Sequence, residues 1–243
     1  QEPVRPQSLE AMMSRRFESY KTHLVKPFFR NHFTQLDRQI VLVDAMQGLN
    51  GGSEVLAQLE DNLTRILNCF RPGYNSWLTS IWRRRIDRIL FAATKADHLH
   101  SSQHKELENV LATLVAQSAT RAEGLGADLK TVTLSSFRAT REGLSRDREP
   151  RPCVIGVPLS GQRIGGQTFD GAKEVAIFPG DIPHFSTQVA FSDPRTLPGG
   201  ADALRFIQFR PLRVEATEPV SQATLPHVRM DQAMNFIMGD FLT

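Results

Sequence analysis

From Ser8 to Val25 apolar residues recur at Leu9, Met13, Phe17, Tyr20 and Leu24, steps of three or four that place them on one helical face. Ser8 is positioned to cap that helix, and Glu10 lies in its first turn, where the helix dipole favours an acid. Pro27 should end or kink it, with Phe28, Phe29 and Phe33 continuing as a shorter amphipathic turn. The pattern then changes. Ile40-Val41-Leu42-Val43 is a continuous apolar run, closed by Asp44 and a Gly-rich stretch read as a loop (Gly48, Gly51, Gly52). A run apolar on both faces predicts a central strand of a parallel sheet covered by helices.

Ser53 should cap the next helix, whose face reads Val55, Leu59, Leu63, Ile66 and Phe70. Arg71-Pro72-Gly73 breaks it, and a further helical segment carries Trp77, Leu78, Ile81 and Trp82. A second strand, Ile89 to Ala93, ends in Thr94-Lys95-Ala96-Asp97. The helix after it bears Leu107, Val110, Leu111, Leu114 and Val115, and is stopped by Gly124 and Gly126. Thr131 to Leu134 is a third strand, ending in Ser135-Ser136. Strand and helix in alternation predict a parallel α/β sheet with helices on both faces. After about residue 145, Pro and Gly punctuate short apolar runs (Cys153–Leu159, Val175–Phe178, Leu204–Phe209), the signature of irregular β structure. Met230, Met234, Ile237 and Phe241 close the chain at helical spacing.

Composition narrows the class. The 243 residues are 40% hydrophobic and 23% charged, with 16 Gly and 14 Pro, which excludes collagen-like and disordered chains. No apolar run approaches the roughly 18 residues of a membrane span. Two cysteines, Cys69 and Cys153, stand in no metal or redox spacing, and a reduced cytoplasmic compartment is the simplest expectation. Residues 1–150 carry 21 Lys and Arg against 17 Asp and Glu, and residues 151–243 carry 8 against 9. So mild an excess favours a small anionic ligand over a nucleic-acid groove.

In open parallel sheets the ligand lies beyond the C-terminal ends of the strands. Those ends are here Asp44, Thr94–Asp97 and Ser135–Ser136. Guanine presents two donors side by side, its N1–H and N2 amine, and the Asp97 carboxylate can accept both. Lys95 can lay its aliphatic stem along the base, and a backbone N–H at Ser135–Ser136 can reach guanine O6. A solvated turn at Thr94–Asp97 is the plainer alternative, as is an Asp44 that merely caps the following loop. His98, His100 and His104 beside Asp97 imitate a metal cluster, and caps and supporting contacts are the favoured reading. Arg83, Arg84, Arg85 and Arg88 read as a solvated helix end. Arg141 is expected to pair with Glu142 or a neighbouring carboxylate.

Four segments carry a resemblance: Leu36-Asp37-Arg38-Gln39-Ile40-Val41-Leu42-Val43-Asp44, Thr94-Lys95-Ala96-Asp97-His98-Leu99-His100, Arg138-Ala139-Thr140-Arg141-Glu142 and Phe178-Pro179-Gly180-Asp181-Ile182-Pro183. Together they resemble the YcjX-like family of bacterial, stress-linked P-loop GTPases. The resemblance implies a P-loop NTPase-like sheet that binds GTP and GDP through Thr94, Lys95, Asp97, Ser135 and Ser136. It also implies Mg²⁺, with Asp44 in the metal shell through bound water, and a protein partner at or away from a membrane surface. No nucleic acid is expected. No G-x-x-x-x-G-K-[ST] phosphate loop occurs in the sequence, so the chain is expected to be the C-terminal half of a longer protein. The Asp-x-x-Gly of typical GTPases is also one residue longer here, Asp44 to Gly48, and Gln47 is a candidate for positioning water by type and place alone. The expected layout is a GTPase part at residues 1–145, a β-rich insertion at 146–228 and a returning helix at 229–243. A non-hydrolysing nucleotide sensor or scaffold acting through the β-rich part is the alternative function.

Overall fold

The computed structural model describes residues 8–32, 36–69, 86–124, 126–146, 148–183, 204–211 and 226–242. Its centre is a parallel sheet of three strands in the order β1 (Arg38–Val43), β2 (Arg88–Ala93), β3 (Asp128–Thr133). Val43 is opposite Ala93, and Ala93 is opposite Thr133, so all three strands end level.

Side chains alternate across a strand, and β2 divides accordingly. Ile89, Phe91 and Ala93 join the larger core with Val41, Val43 and the buried faces of three helices, α3 (Ala45–Gly51), α4 (Ser53–Cys69) and α5 (His104–Glu123). Leu90 and Ala92 face the other way, onto Ala233 and Ile237 of α6 (Met230–Met238). Helices therefore cover both faces of β2. The expectation that Ile40–Val43 forms the central strand is corrected: among the described residues β1 is an edge. The outer face of β1 is open, with Leu42 64% exposed.

Helix α6 is held over the sheet by charge as well as by apolar contact. The Arg38 guanidinium forms a two-bond fork with Asp240 at 2.5 Å per bond, also donates to the Ile237 carbonyl and stacks on Phe241. Arg88, read from the sequence as part of a solvated cluster, instead donates to Phe236 O at 2.7 Å and to Asp240 at 3.2 Å. Arg83, Arg84 and Arg85 lie outside the described residues, as does the helical segment around Trp77 and Trp82.

Three local expectations change. The helix α1 (Leu9–Tyr20) is capped by Ser8, whose Oγ accepts the Ala11 N–H at 3.2 Å. Pro27 does not end it: a widened π turn at Lys21–Val25 leads into α2 (Lys26–Asn31). Widening the turn just before a proline relieves the clash of its ring with the carbonyl below. The Leu9–Phe28 face is exposed throughout. Second, the Gly-rich stretch after Asp44 is helix α3 and not a loop. A Cβ on Gly48 would stand 2.9 Å from Leu56 Cδ2 and 3.1 Å from Leu59 Cδ2, so the missing side chain is what lets α3 and α4 close on each other. Only Gly52, at φ 88°, makes the break between them. Third, the buried face of α4 centres on Leu56 and Leu63, while Val55 and Ile66 stay exposed. Phe70 is outside the described residues.

A second, antiparallel sheet follows, β4 (Arg141–Leu144), β5 (Pro152–Gly156) and β8 (Val175–Ile177), with a small hairpin of β6 (Arg163–Ile164) and β7 (Gln167–Thr168). Its first strand begins at Arg141, inside the span 1–145. Val154, Ile177, Ile207 and Phe209 pack with Ala139 as a separate core. No helix among the described residues is long and apolar enough to cross a membrane.

Candidate functional site

The level strand ends bring Asp44, Thr94–Asp97 and Ser135–Ser136 to one edge of the sheet. Thr94 ties two of them together: its N–H donates to Val43 O at 2.9 Å and its hydroxyl to the same oxygen at 3.3 Å. The Ala96 N–H donates to Leu134 O at 3.2 Å, fixing the segment against the third strand end.

Lys95 turns the chain in the left-handed region at φ 62°, a conformation that costs a residue with a side chain about 1 kcal/mol or more. Its ammonium lies 2.5 Å from Asp44 Oδ2. The other oxygen of Asp44 accepts the Gln47 N–H at 3.1 Å and caps α3. Gln47 itself is exposed.

Asp97 is 3% exposed. Its Oδ2 accepts the Ala139 N–H at 2.8 Å, and its carbonyl accepts the Thr140 hydroxyl. Among the described residues no Lys or Arg forms an ion pair with it. A carboxylate has about four acceptor positions, and burying one without compensation is costly. Asp97 is thus held in place with acceptor capacity in reserve.

The loop after β3 supplies those contacts, and its amides divide. Ser135 pairs with Val228 in both directions, at 3.1 and 2.8 Å, and its hydroxyl donates to Phe137 O at 2.9 Å. Arg138 N–H goes to Pro226 O and Ala139 N–H to Asp97. Ser136 is exposed. Of the serine pair, Ser135 therefore spends its amide within the protein.

The histidines serve the framework. Buried His104 donates from Nε2 to Ala96 O at 2.9 Å, and burial pushes its pKa below the ordinary value. His100 Nδ1 accepts the Ser102 N–H at 3.2 Å at the start of the turn before α5. His98 packs edge-on against Phe209 with centroids 5.4 Å apart. Burial lowers its pKa, and Asp97, 4.0 Å away, opposes that only partly.

Glu142 gathers the loop and the turn before α5, accepting from Arg138 at 2.7 Å and Ser101 at 2.9 Å. Burial raises its carboxyl pKa, and these two hydrogen bonds together with the charges of Arg138 and His100 outweigh that and hold it below the usual range. Of the two partners expected for Arg141, Glu142 or a neighbouring carboxylate, the second holds: Arg141 pairs with Glu174 at 2.9 Å, because successive residues of a strand point to opposite faces. Sequence reasoning missed Ala139 and Thr140 as supports of Asp97, and Glu142 as the link between their loop and the turn before α5. The Ala139 contact is a backbone donor, which carries no residue-type signal.

Asp44 was expected in a magnesium shell. One of its oxygens is engaged by an ammonium and the other by a helix cap, and no group of three or more His, Cys, Asp or Glu gathers for a metal among the described residues. Magnesium at a nucleotide keeps several waters and takes only one or two carboxylates beside the substrate's phosphates, so a lone Asp44 carboxylate at this strand end is compatible with a water-mediated place in its shell. Gly48, compared with the glycine of Asp-x-x-Gly, is a helical residue packed on α4.

The chain is 32% identical over 235 residues to a protein named Ras-like GTPase YcjX from Escherichia coli (strain K12), covering 95% of this chain and 45% of that protein. It is 31% identical over 232 residues to a protein of the same name from Shewanella oneidensis, covering 95% of this chain and 44% of the relative. The chain thus spans less than half the length of these relatives. A sequence profile of the YcjX-like family, DUF463, matches residues 1–242, and the chain belongs to that family.

Proposed function

We propose that this chain forms the base-recognising part of a P-loop GTPase, with Asp97 reading the two adjacent donors of guanine. The observation that carries the reading is the buried Asp97 carboxylate, fixed by the Ala139 amide at 2.8 Å yet free of Lys and Arg ion pairs among the described residues. Guanine's N1–H and N2 amine supply the donors such a carboxylate needs, whereas adenine presents a lone pair at N1. Lys95 would cover the base with its stem. The O6 donor would come from the exposed turn at Ser136 and not from Ser135, whose amide is spent on Val228.

In the whole protein GTP, accompanied by Mg²⁺, would be hydrolysed to GDP and switch the conformation seen by a protein partner. The relatives' name, Ras-like GTPase, supports that reading. A cytoplasmic role in a bacterial stress response, at or away from a membrane surface, belongs to the same proposal. No G-x-x-x-x-G-K-[ST] phosphate loop occurs in this sequence, and Asp44 would stand in the Mg²⁺ shell through bound water.

The test is the base itself. In the intact protein, Asp97→Asn should weaken GDP binding and improve binding of xanthosine diphosphate, whose base offers an acceptor where guanine has its amine. An unchanged preference would remove Asp97 from the site. Hydrolysis of GTP by the intact protein, measured beside a variant of its phosphate-binding lysine, tests turnover. Equal rates would favour a nucleotide sensor or scaffold without turnover.

A further inference from the structure

We infer that Glu142 is a positioning residue for base recognition: it holds the Arg138 guanidinium away from the Asp97 carboxylate and so keeps that carboxylate open to a ligand. The inference rests on the guanine reading of Asp97.

The chain itself brings a cation to the site. The Ala139 N–H lies 2.8 Å from Asp97 Oδ2, and Arg138 is the residue bonded to that amide, so its long side chain starts beside the carboxylate. Guanidinium and carboxylate match as planar forks joined by charge-assisted hydrogen bonds. An Arg138–Asp97 pair would fill the acceptor positions that guanine's N1–H and N2 amine need. The structure pairs Arg138 elsewhere. Its backbone N–H donates to Pro226 O, and its Nη2 donates to Glu142 Oε1 at 2.7 Å. The Arg138 Nε is buried and makes no hydrogen bond, which leaves Glu142 as the acid that holds the guanidinium among the described residues.

Glu142 is itself fixed. Its other oxygen accepts the Ser101 hydroxyl at 2.9 Å and lies 3.6 Å from His100 Nε2, so the carboxylate does not follow the arginine toward Asp97. His98 is withheld as well: its Nε2 stands 4.0 Å from Asp97 Oδ2, and burial favours its neutral ring. One positive charge beside Asp97 is thus neutralised by pairing and another by burial. The acceptor positions are left for donors from outside the chain, and a buried carboxylate without a cation gains most from such donors.

The experiment measures GDP affinity of the intact protein. The variants are Glu142→Gln, Arg138→Met, the double variant and Ser101→Ala. Glutamine keeps an acceptor for Ser101 but gives up the charge that holds Arg138, so Glu142→Gln should lose on the order of tenfold in affinity. Arg138→Met and the double variant should stay within about twofold of the parent, because without the guanidinium nothing competes for Asp97. Recovery of binding on removing a second side chain is a result that a mere brace does not produce. A double variant as weak as Glu142→Gln would overturn the inference, as would parental affinity in Glu142→Gln. Arg138→Met decides the question if Glu142→Gln does not fold, since a tenfold loss there is equally fatal. Ser101→Ala, at an exposed position, leaves the Arg138 pair intact and should bind as the parent does. A loss there equal to that of Glu142→Gln would make Glu142 a brace of the turn and refute its proposed role. Asp97→Asn with xanthosine diphosphate separates the two levels. If the base preference does not swing, the guanine reading has failed; if it swings and the double variant does not recover, only the role of Glu142 has.

Discussion

The Gln103 side chain clamps Asp181 and the residue after it: its amide donates to Asp181 Oδ1 at 2.9 Å and its carbonyl accepts the Ile182 N–H at 3.0 Å. Gln103 lies in the short turn that opens α5, six residues after Asp97, and Ile182 is buried in the larger core. The clamp binds the Phe178–Pro183 segment to the structure that carries the candidate base site.

Gln103→Leu leaves the part-buried Ile182 amide without its acceptor and should cost about 1–3 kcal/mol. Gln103→Glu keeps an acceptor for Ile182 but sets a second carboxylate against Asp181, and should also destabilise. Denaturant midpoints give the cost, and amide exchange at Ile182 reports the local opening. Wild-type protection at Ile182 in Gln103→Leu would show that the clamp holds nothing.

Lys95→Gly separates stability from recognition. Glycine removes the strain of φ 62° but also raises the entropy of the unfolded chain and loses the ion pair, which at this exposure contributes about 0–1 kcal/mol. The melting temperature should change little, while guanine-nucleotide affinity falls. A variant that binds GDP as tightly as the parent would show that the side chain has no part in the site.

The antiparallel sheet should matter to the base site through Gly156. A Cβ there would meet Phe209 Cδ1 at 2.9 Å, Ala139 O at 3.2 Å and Thr140 Cγ2 at 3.2 Å. Ala139 and Thr140 are the residues that hold Asp97. Gly156→Ala should therefore destabilise by about 1–3 kcal/mol and weaken GDP binding, although it lies on a strand with no proposed ligand contact. Calorimetric titration of a folded variant with parental affinity would refute the linkage.

Stability should fall on mild acidification. Burial holds the pKa of His98 and of His104 below the ordinary 6.5. The unfolded chain therefore takes up protons at higher pH than the folded one, so the contribution is complete above the unfolded value and shrinks as pH drops towards the folded one. Urea midpoints should decrease from about pH 7.5 to about pH 5, above the range where Glu142, held below its ordinary value, protonates. His104→Gln, which keeps a donor for Ala96 O, should flatten the curve. A parental profile already flat over that range would exclude the histidine contribution.

The three parallel strands and the buried face of α5 could be read from the sequence because their signals are local. Ile89–Ala93 is an apolar run too short for a helix of its own, and Leu107, Val110, Leu111, Leu114 and Val115 repeat at one helical period, all now at most 2% exposed. The strand-end residues were legible for the same reason, since polar groups directly follow apolar runs. What those residues do to one another was not legible. Asp44 and Lys95 are 51 positions apart, and only the parallel register of β1 and β2 makes them an ion pair. Gly48 reads as a loop residue until Leu56 and Leu59 are packed against it, because helix propensity penalises glycine and tertiary contact overrides the penalty. Ser135 and Ser136 are identical in type, yet pairing with Val228 engages the amide of one while the other lies exposed. Sequence alone determined the three strands and the residue types that end them. The tertiary structure decided which of those groups were already engaged, because hydrogen bonds and ion pairs depend on distances that spacing along the chain does not encode.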